Sequence, residues 1–135
     1  MLVVDSSIVL SWLLGDEASA ITDALADDVH RTGAIGPAHL RAEVANVLVM
    51  LERRRRISSA AVIASLSDFE DMAIQFEPGL DAATTRAVVQ LARAEGLTVY
   101  DASYLELALR LDAELFTLDK DLVAAARRHG VPVRP

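Results

Sequence analysis

Residues 1–15 read MLVVDSSIVLSWLLG, and the first seven of them decide the fold class. The apolar run Met1–Val4 stops at Asp5, which is how a short buried strand reads. Ser6 and Ser7 can cap a helix, and Ile8, Leu10, Trp12, Leu13 and Leu14 give it an apolar side until Gly15 stops it. The rest of the chain repeats this alternation of strand and helix.

Working outward, Ala18–Asp28 reads as a second helix with Ile21 and Leu25 four apart. Thr32–Gly36 reads as a strand closed by Gly36-Pro37, and Pro37 suits the first turn of a long helix to about Arg56. Leu40, Val44, Val47, Leu48 and Leu51 form its apolar stripe. Ser58–Met72 is a helix capped by Ser58 or Ser59, with Val62, Ile63, Leu66 and Phe69 expected inward. The strand Ile74–Glu77 ends at Pro78-Gly79, and Asp81 caps a helix that Gly96 terminates after Glu95. A helix from about Tyr100 to Leu111, the strand Glu114–Thr117, a helix from about Lys120 to Arg128 and the strand Val131–Val133 complete the chain. Five short strands alternating with helices predict an α/β fold, a parallel sheet covered on both faces.

The 135 residues suit a single domain spanning 1–135, with no linker, repeat or low-complexity tract. A domain of this length buries roughly two thirds of its unfolded surface, so it needs no disulfide or zinc staple. The absence of cysteine excludes disulfide frameworks, thiol catalysis and cysteine-ligated zinc. With 53% hydrophobic and 24% charged residues, intrinsic disorder is excluded as the main state. Charges interrupt the apolar residues everywhere, short of the roughly 18 to 20 apolar positions needed to cross a bilayer, so no membrane association is expected. The opening segment has an acid at position 5 and no basic residue ahead of Asp16, unlike a secretory signal. A cytoplasmic protein is expected.

The net charge of −7 argues against indiscriminate nucleic-acid binding, since phosphate repels it at long range. Six aromatic residues (one Trp, two Tyr, three Phe) are too few for a base-stacking sheet surface. Where the acids lie therefore matters. In open α/β sheets the functional crevice lies outside the carboxyl ends of the strands. Asp5 directly follows the first strand, and Asp119 follows the strand ELFT by two residues. Glu43 lies inside the apolar stripe of the long helix, three after Leu40 and four before Val47. Asp101 opens a helix whose inward positions are Tyr104, Leu105 and Ala108.

Taken singly, each acid has an ordinary explanation: Asp5, Asp101 and Asp119 as helix caps, Glu43 as the partner of an Arg or a backbone amide. Their convergence changes that reading. Two carboxylates 4 Å apart repel by about 4 kcal/mol at an effective dielectric near 20. Such a group persists only if it is partly protonated, paired with Lys or Arg, or bound to a cation. All-oxygen ligation suits a hard ion, Mg²⁺ or Mn²⁺. That ion turns a repulsive pocket into a phosphate site and can activate water for attack on phosphorus. Other chemistries find little support. His30, His39 and His129 lie near helix ends without metal-ligand spacing and read as exposed capping residues. The six glycines form no phosphate loop, and Ser6-Ser7 lacks a nucleophile elbow.

MLVVDSS at the start, RAEVANVL on the long helix, TVYDASYLELAL and ELFTLDKDL together resemble a PIN-domain protein, and more narrowly the toxin of a VapBC-type toxin–antitoxin pair. The resemblance covers nearly the whole chain. It implies a three-layer fold, a five-stranded parallel sheet flanked by about seven helices, and a metal-dependent endoribonuclease. The family's acidic positions match Asp5, Glu43, Asp101 and Asp119. Asp5 and Asp101 would hold Mg²⁺ (or Mn²⁺) directly. Glu43 would be a ligand or orient water, and Asp119 would act directly or through water. Ser7 and Thr117 match the family's supporting polar positions, and Asn46 also fits. Asp112 and Asp121 are extra acids, read as exposed. Receiver-like and phosphatase-like domains also place acids at strand ends. The first wants adjacent acids where this chain has Asp5-Ser6-Ser7, and the second wants Asp-x-Asp where position 7 is Ser. A non-catalytic PIN fold used for binding would lack one of the acids.

The run Arg53-Arg54-Arg55-Arg56 ends the long helix, where cations complement the dipole. It reads either as a solvated helix end or as a contact for RNA or an acidic partner segment. Trp12, Leu13, Val47, Met50 and Leu51, with the Ser58–Met72 helix, offer more apolar surface than one small sheet easily covers. The resemblance implies that a cognate antitoxin docks in a groove there and that the protein forms a homodimer.

Overall fold

A computed structural model describes residues 1–15 and 20–135. Strand β1 (Leu2–Val4) leads into helix α1 (Ser6–Leu14), and α2 (Ala20–Thr32) into β2 (Ala34–Gly36). Two helices follow, α3 (Leu40–Arg53) and α4 (Ser59–Asp71), before β3 (Ile74–Phe76). Then come α5 (Ala82–Glu95), α6 (Val99–Leu111), β4 (Glu114–Phe116), α7 (Lys120–Arg128) and β5 (Val133–Arg134). This is the α/β alternation expected from the sequence, with the predicted start of the second helix at Ala18 lying outside the described residues.

The sheet order is β3-β2-β1-β4-β5, with every pairing parallel. The register sets Leu2, Val3 and Val4 opposite Glu114, Leu115 and Phe116, and Val3 opposite Ile35. Side chains alternate faces along a strand, yet Leu2, Val3 and Val4 are all buried, so both faces at the sheet centre are covered. Helix α1 packs on α2, α3 and α4, while α6 packs on α5, α7, β1 and β4. The chain steps outward from β1 to β3 on one side, then crosses to β4 and β5 on the other. The crevice at that reversal lies between the carboxyl ends of β1 and β4.

Several boundaries differ from the sequence reading, each for a local reason. Asp5, not Ser6 or Ser7, caps α1: its backbone is extended and its side chain accepts from the Ile8 N–H. Helix α2 runs four residues past Asp28 and ends at Gly33, which adopts φ 77°. Helix α3 begins at Leu40 because Pro37–His39 forms a turn whose Pro37 carbonyl accepts from the Leu40 N–H. Leu40 packs closely over Gly36, where an added Cβ would meet Leu40 Cδ2 at 2.6 Å and displace the end of that side chain. The helix stops at Arg53, short of the expected Arg56, and Arg55 adopts φ 57°. The closing strand is Val133–Arg134 rather than Val131–Val133, because the Val131 N–H bonds back to Ala126 at the end of α7. Two apolar expectations fail. Ile21 and Ile63 are 61% and 69% exposed. Ile63 lies about 100° from Val62 around α4, off the face that carries Val62, Ser65, Leu66 and Phe69.

One continuous core joins Val3, Val4, Ile8, Leu40, Leu48, Tyr104, Leu115, Phe116 and Leu122. Among the described residues, no helix is long and apolar enough to cross a membrane.

Candidate active site

The crevice between β1 and β4 is built around Asp5. Only 4% exposed, its carboxylate accepts from Ser7 Oγ at 2.6 Å and the Ile8 N–H at 3.1 Å on Oδ1, and from the Thr117 hydroxyl on Oδ2. Burial pushes its pKa up from 3.8 to about 6; the bonds from Ser7, Thr117 and Ile8 pull it down, and the neighbouring Asp119 charge adds to the rise.

Ser7 and Thr117 tie the two strand ends together. Ser7 Oγ accepts from the Leu118 N–H at 2.9 Å while donating to Asp5. Thr117 Oγ1 likewise accepts from the Asp119 N–H at 3.0 Å. Asp119 also caps α7, accepting from the Leu122 N–H at 2.9 Å. For Asp5 and Asp119 the capping role and the place in the crevice therefore coexist.

Asp101 does not cap its helix. Thr98 does, accepting from the Asp101 N–H at 3.1 Å, so the half-buried Asp101 carboxylate has no capping task. Its pKa is raised, first by burial and then by the charges of Asp119 and Glu43, against the Thr98 hydroxyl and His39. Glu43, in the first turn of α3, accepts from Tyr104 Oη at 2.7 Å on Oε1 and from Ser6 Oγ at 3.2 Å on Oε2. His39 Nε2 lies 3.0 Å from the same Oε1. Burial alone would raise the Glu43 pKa, but the bonds from His39, Tyr104 and Ser6 outweigh it and hold it low.

Charge links the four acids in a chain: Asp119 acts on Asp5, and Asp119 and Glu43 act on Asp101. Among the described residues no Lys or Arg pairs with any of them. Nor do three His, Cys, Asp or Glu side chains converge tightly enough to enclose an ion. The donor chemistry nonetheless fits a hard cation: the donors are all oxygen, no Lys or Arg among the described residues offsets their repulsion, and one member is driven toward its neutral form. Mg²⁺ commonly takes one or two carboxylates and keeps several waters, a weaker demand than three converging side chains.

His39, Tyr104 and Ser6 are the additions the structure makes. The spacing of His39 and Glu43, four apart at a helix start, was the available signal for the first. Asn46, one turn past Glu43, is exposed and joins no hydrogen bond of the crevice among the described residues. Asp112 and Asp121 are exposed as expected. Arg53, Arg54, Arg55 and Arg56 are exposed at the far end of α3, about 15 Å along the helix from Glu43. The fold does not bring them into the crevice.

The PIN-domain family model matches residues 2–128, which carry the whole crevice. The chain belongs to the PIN-domain family. PIN domains are nucleases. Among solved structures, this PIN domain is similar to PAE2754 from Pyrobaculum aerophilum, with 22% identity and a TM-score of 0.74 over 98% of this chain and 87% of that one. It is similar to VapC20 of Mycobacterium tuberculosis, described as a sarcin–ricin loop cleaving toxin, with 20% identity and a TM-score of 0.64 over 100% of both chains. VapBC2 of Rickettsia felis, solved on a fragment of its promoter DNA, aligns with 12% identity and a TM-score of 0.68 over 98% of this chain and 96% of that one. At these identities the likeness is one of fold. No curated protein gives a significant sequence match.

Proposed function

We propose that this PIN domain, a single domain over residues 1–135, is a metal-dependent endoribonuclease acting as the toxin of a type II toxin–antitoxin pair. The observation that carries the reading is an acid cluster without a Lys or Arg partner among the described residues. Asp5, Glu43, Asp101 and Asp119 meet at the switch point of the sheet without a compensating Lys or Arg among the described residues. In a nuclease fold, that charge is suited to a divalent cation and a phosphate.

Asp5 and Asp101 would hold Mg²⁺ or Mn²⁺ directly, with Glu43 and Asp119 acting directly or through water. When bound, the ion supplies Lewis acidity toward a phosphoryl oxygen and lowers the pKa of water. The chain's own residues do the positioning. Ser7 and Thr117 orient the Asp5 carboxylate, and the Ile8 N–H at the start of α1 holds it at the mouth of the crevice. Tyr104, His39 and Ser6 fix Glu43 in one rotamer and keep it charged, suited to hold the ion or orient its water.

The toxin reading draws on the VapBC-like fold and on partly covered apolar surface around α1. Trp12 and Leu13 are only half-buried, and a cavity of about 200 Å³ opens beside Trp12, Val29 and Met72. A cognate antitoxin segment would dock on this side, and the PIN domain would act in the cytoplasm as a homodimer.

The test is cleavage of single-stranded or looped RNA by purified protein with Mg²⁺ or Mn²⁺, expected to stop in EDTA. Undiminished cleavage in excess EDTA overturns the metal reading. Expression of the wild-type protein alone is expected to slow growth, relieved by a co-expressed partner. Unchanged growth and RNA profiles at high expression overturn the toxin reading.

A further inference from the structure

Helix α6 has two working faces. Asp101 and Tyr104 turn toward the acid crevice, while Tyr100, Ser103, Leu107 and Arg110 line a separate cavity of about 440 Å³. The other walls come from the segments after β2 and β3, among them Pro37, His39, Glu77 and Leu80. The cavity therefore lies outside the carboxyl ends of β2 and β3, next to the crevice outside β1 and β4. His39 belongs to both. Its Nε2 is 3.0 Å from Glu43 Oε1 and 3.2 Å from the Tyr100 carbonyl, and its ring meets the Tyr100 ring edge-on at 5.4 Å.

The polar end of the cavity gathers Arg110, Glu77 and Glu106, and Asp81 adds a further carboxylate to its wall. Arg110 donates to Glu77 Oε1 at 2.8 Å, to Glu106 Oε1 at 2.8 Å and to Glu106 Oε2 at 3.4 Å. Two carboxylates share one guanidinium and Asp81 stands in the same wall, so the cavity carries a net negative charge. Both oxygens of Glu106 are engaged, while Glu77 Oε2 has no partner among the described residues. This excess negative charge disfavours a phosphate. A Lys or Arg from a partner would meet the guanidinium already holding Glu77. A flat, neutral ring with an N–H to donate suits it, and the exposed Tyr100 ring offers that ligand a stacking face.

We propose that this cavity holds an unpaired base of the RNA next to the scissile phosphate, one with an exocyclic amino group: adenine, guanine or cytosine in preference to uracil. Glu77 accepts from that amino group, as carboxylates do from cytosine N4. Uracil presents its one ring N–H between two carbonyl oxygens, which the carboxylate repels. The proposal rests on the ribonuclease reading above.

The experiment measures metal-free binding of short single-stranded oligoadenylate, oligocytidylate and oligouridylate by fluorescence anisotropy in EDTA, and cleavage of the same RNAs with Mg²⁺ separately. Wild type is expected to bind the adenine and cytosine RNAs about tenfold tighter than the uracil RNA. Tyr100→Ala should weaken all three about tenfold, the usual loss when a stacking ring is removed. Glu77→Gln should erase the preference against uracil. Tyr100 is 62% exposed, so its variant should melt as wild type does. Equal affinities in wild type, or variants that bind as wild type does, overturn the base site even if the protein cleaves RNA. Preserved base preference without any Mg²⁺-dependent cleavage supports the base site and overturns the ribonuclease reading instead.

Discussion

Tyr104 donates its hydroxyl to Glu43 Oε1 at 2.7 Å, across 61 residues of sequence. The bond joins the first turn of α3 to α6 and leaves a buried phenol facing a carboxylate. The Tyr104 pKa is raised, first by its burial and then by the Glu43 charge. An acid of the crevice is thus fixed by a residue whose own helix carries a second acid, Asp101, one turn earlier.

Tyr104→Phe keeps the ring and removes that bond. A hydrogen bond to a charged acceptor contributes about 1.5–3 kcal/mol, and Glu43 is 27% exposed, so water replaces part of it. We expect a loss of about 1 kcal/mol by urea unfolding at neutral pH. Glu43 has a lowered pKa, so its stabilisation is present above the unfolded value of 4.5 and lost as pH falls through the native pKa. The variant should show less of that acid-side loss. Identical unfolding curves and cleavage rates in the two proteins would remove Tyr104 from the positioning of Glu43.

Asp5 carries the opposite sign. Its native pKa lies above its unfolded one, so its favourable contribution is complete below about pH 3.8 and disappears as pH rises through about 6. That interval corresponds to about 3 kcal/mol. Asp5→Asn, which keeps a good N-cap, should gain stability over wild type across this window when both are unfolded in EDTA. Parallel stability curves from pH 4 to 8 would show that Asp5 ionises without strain.

Asp101→Asn separates charge from structure, because Thr98 already caps α6. The metal-free variant should be as stable as wild type or more so by about 1 kcal/mol, a fraction of the unscreened pair repulsion. Mg²⁺ or Mn²⁺ should raise the Tm of wild type by mass action and that of the variant much less. RNA cleavage should fall by orders of magnitude. Equal metal-induced shifts would exclude Asp101 from the metal site.

At the end of α3, Arg55 adopts φ 57°, a conformation glycine takes at lower cost. Arg55→Gly should raise stability by up to about 1 kcal/mol, read from the denaturant midpoint. Replacing Arg53, Arg54 and Arg56 with Gln should leave stability unchanged within about 0.5 kcal/mol, since all are exposed. If they contact RNA, the salt dependence of binding becomes shallower. An unaltered salt slope makes them a solvated helix end.

Much of this was legible in the chain because it is local. Met1–Val4 reads as a strand because it is an uninterrupted apolar run. Ser58 and Asp81 announce α4 and α5 because a cap bonds an amide only three residues away. Asp5 and Asp119 attract notice because each follows a strand, a position readable without knowing its neighbours. The misreadings were also local, where two candidates stood side by side. Asp5 competes with Ser6 and Ser7 for one cap, and Val131 could pair with β4 or close α7.

The sequence by itself determined the alternation of elements, most helix ends and the acidity at the strand ends, because periodicity, caps and left-handed glycines act within a turn or two of chain. Tertiary structure alone decided the strand order β3-β2-β1-β4-β5, and with it that Asp5 and Asp119 flank one crevice. It decided that Tyr104 meets Glu43, and that Arg110 reaches Glu77 across 33 residues. The Asp5–Thr117 bond spans 112 residues and the Glu43–Tyr104 bond 61. No local pattern encodes such pairs, because they form only when the burial of β1, α3 and α6 against one another removes water from between them.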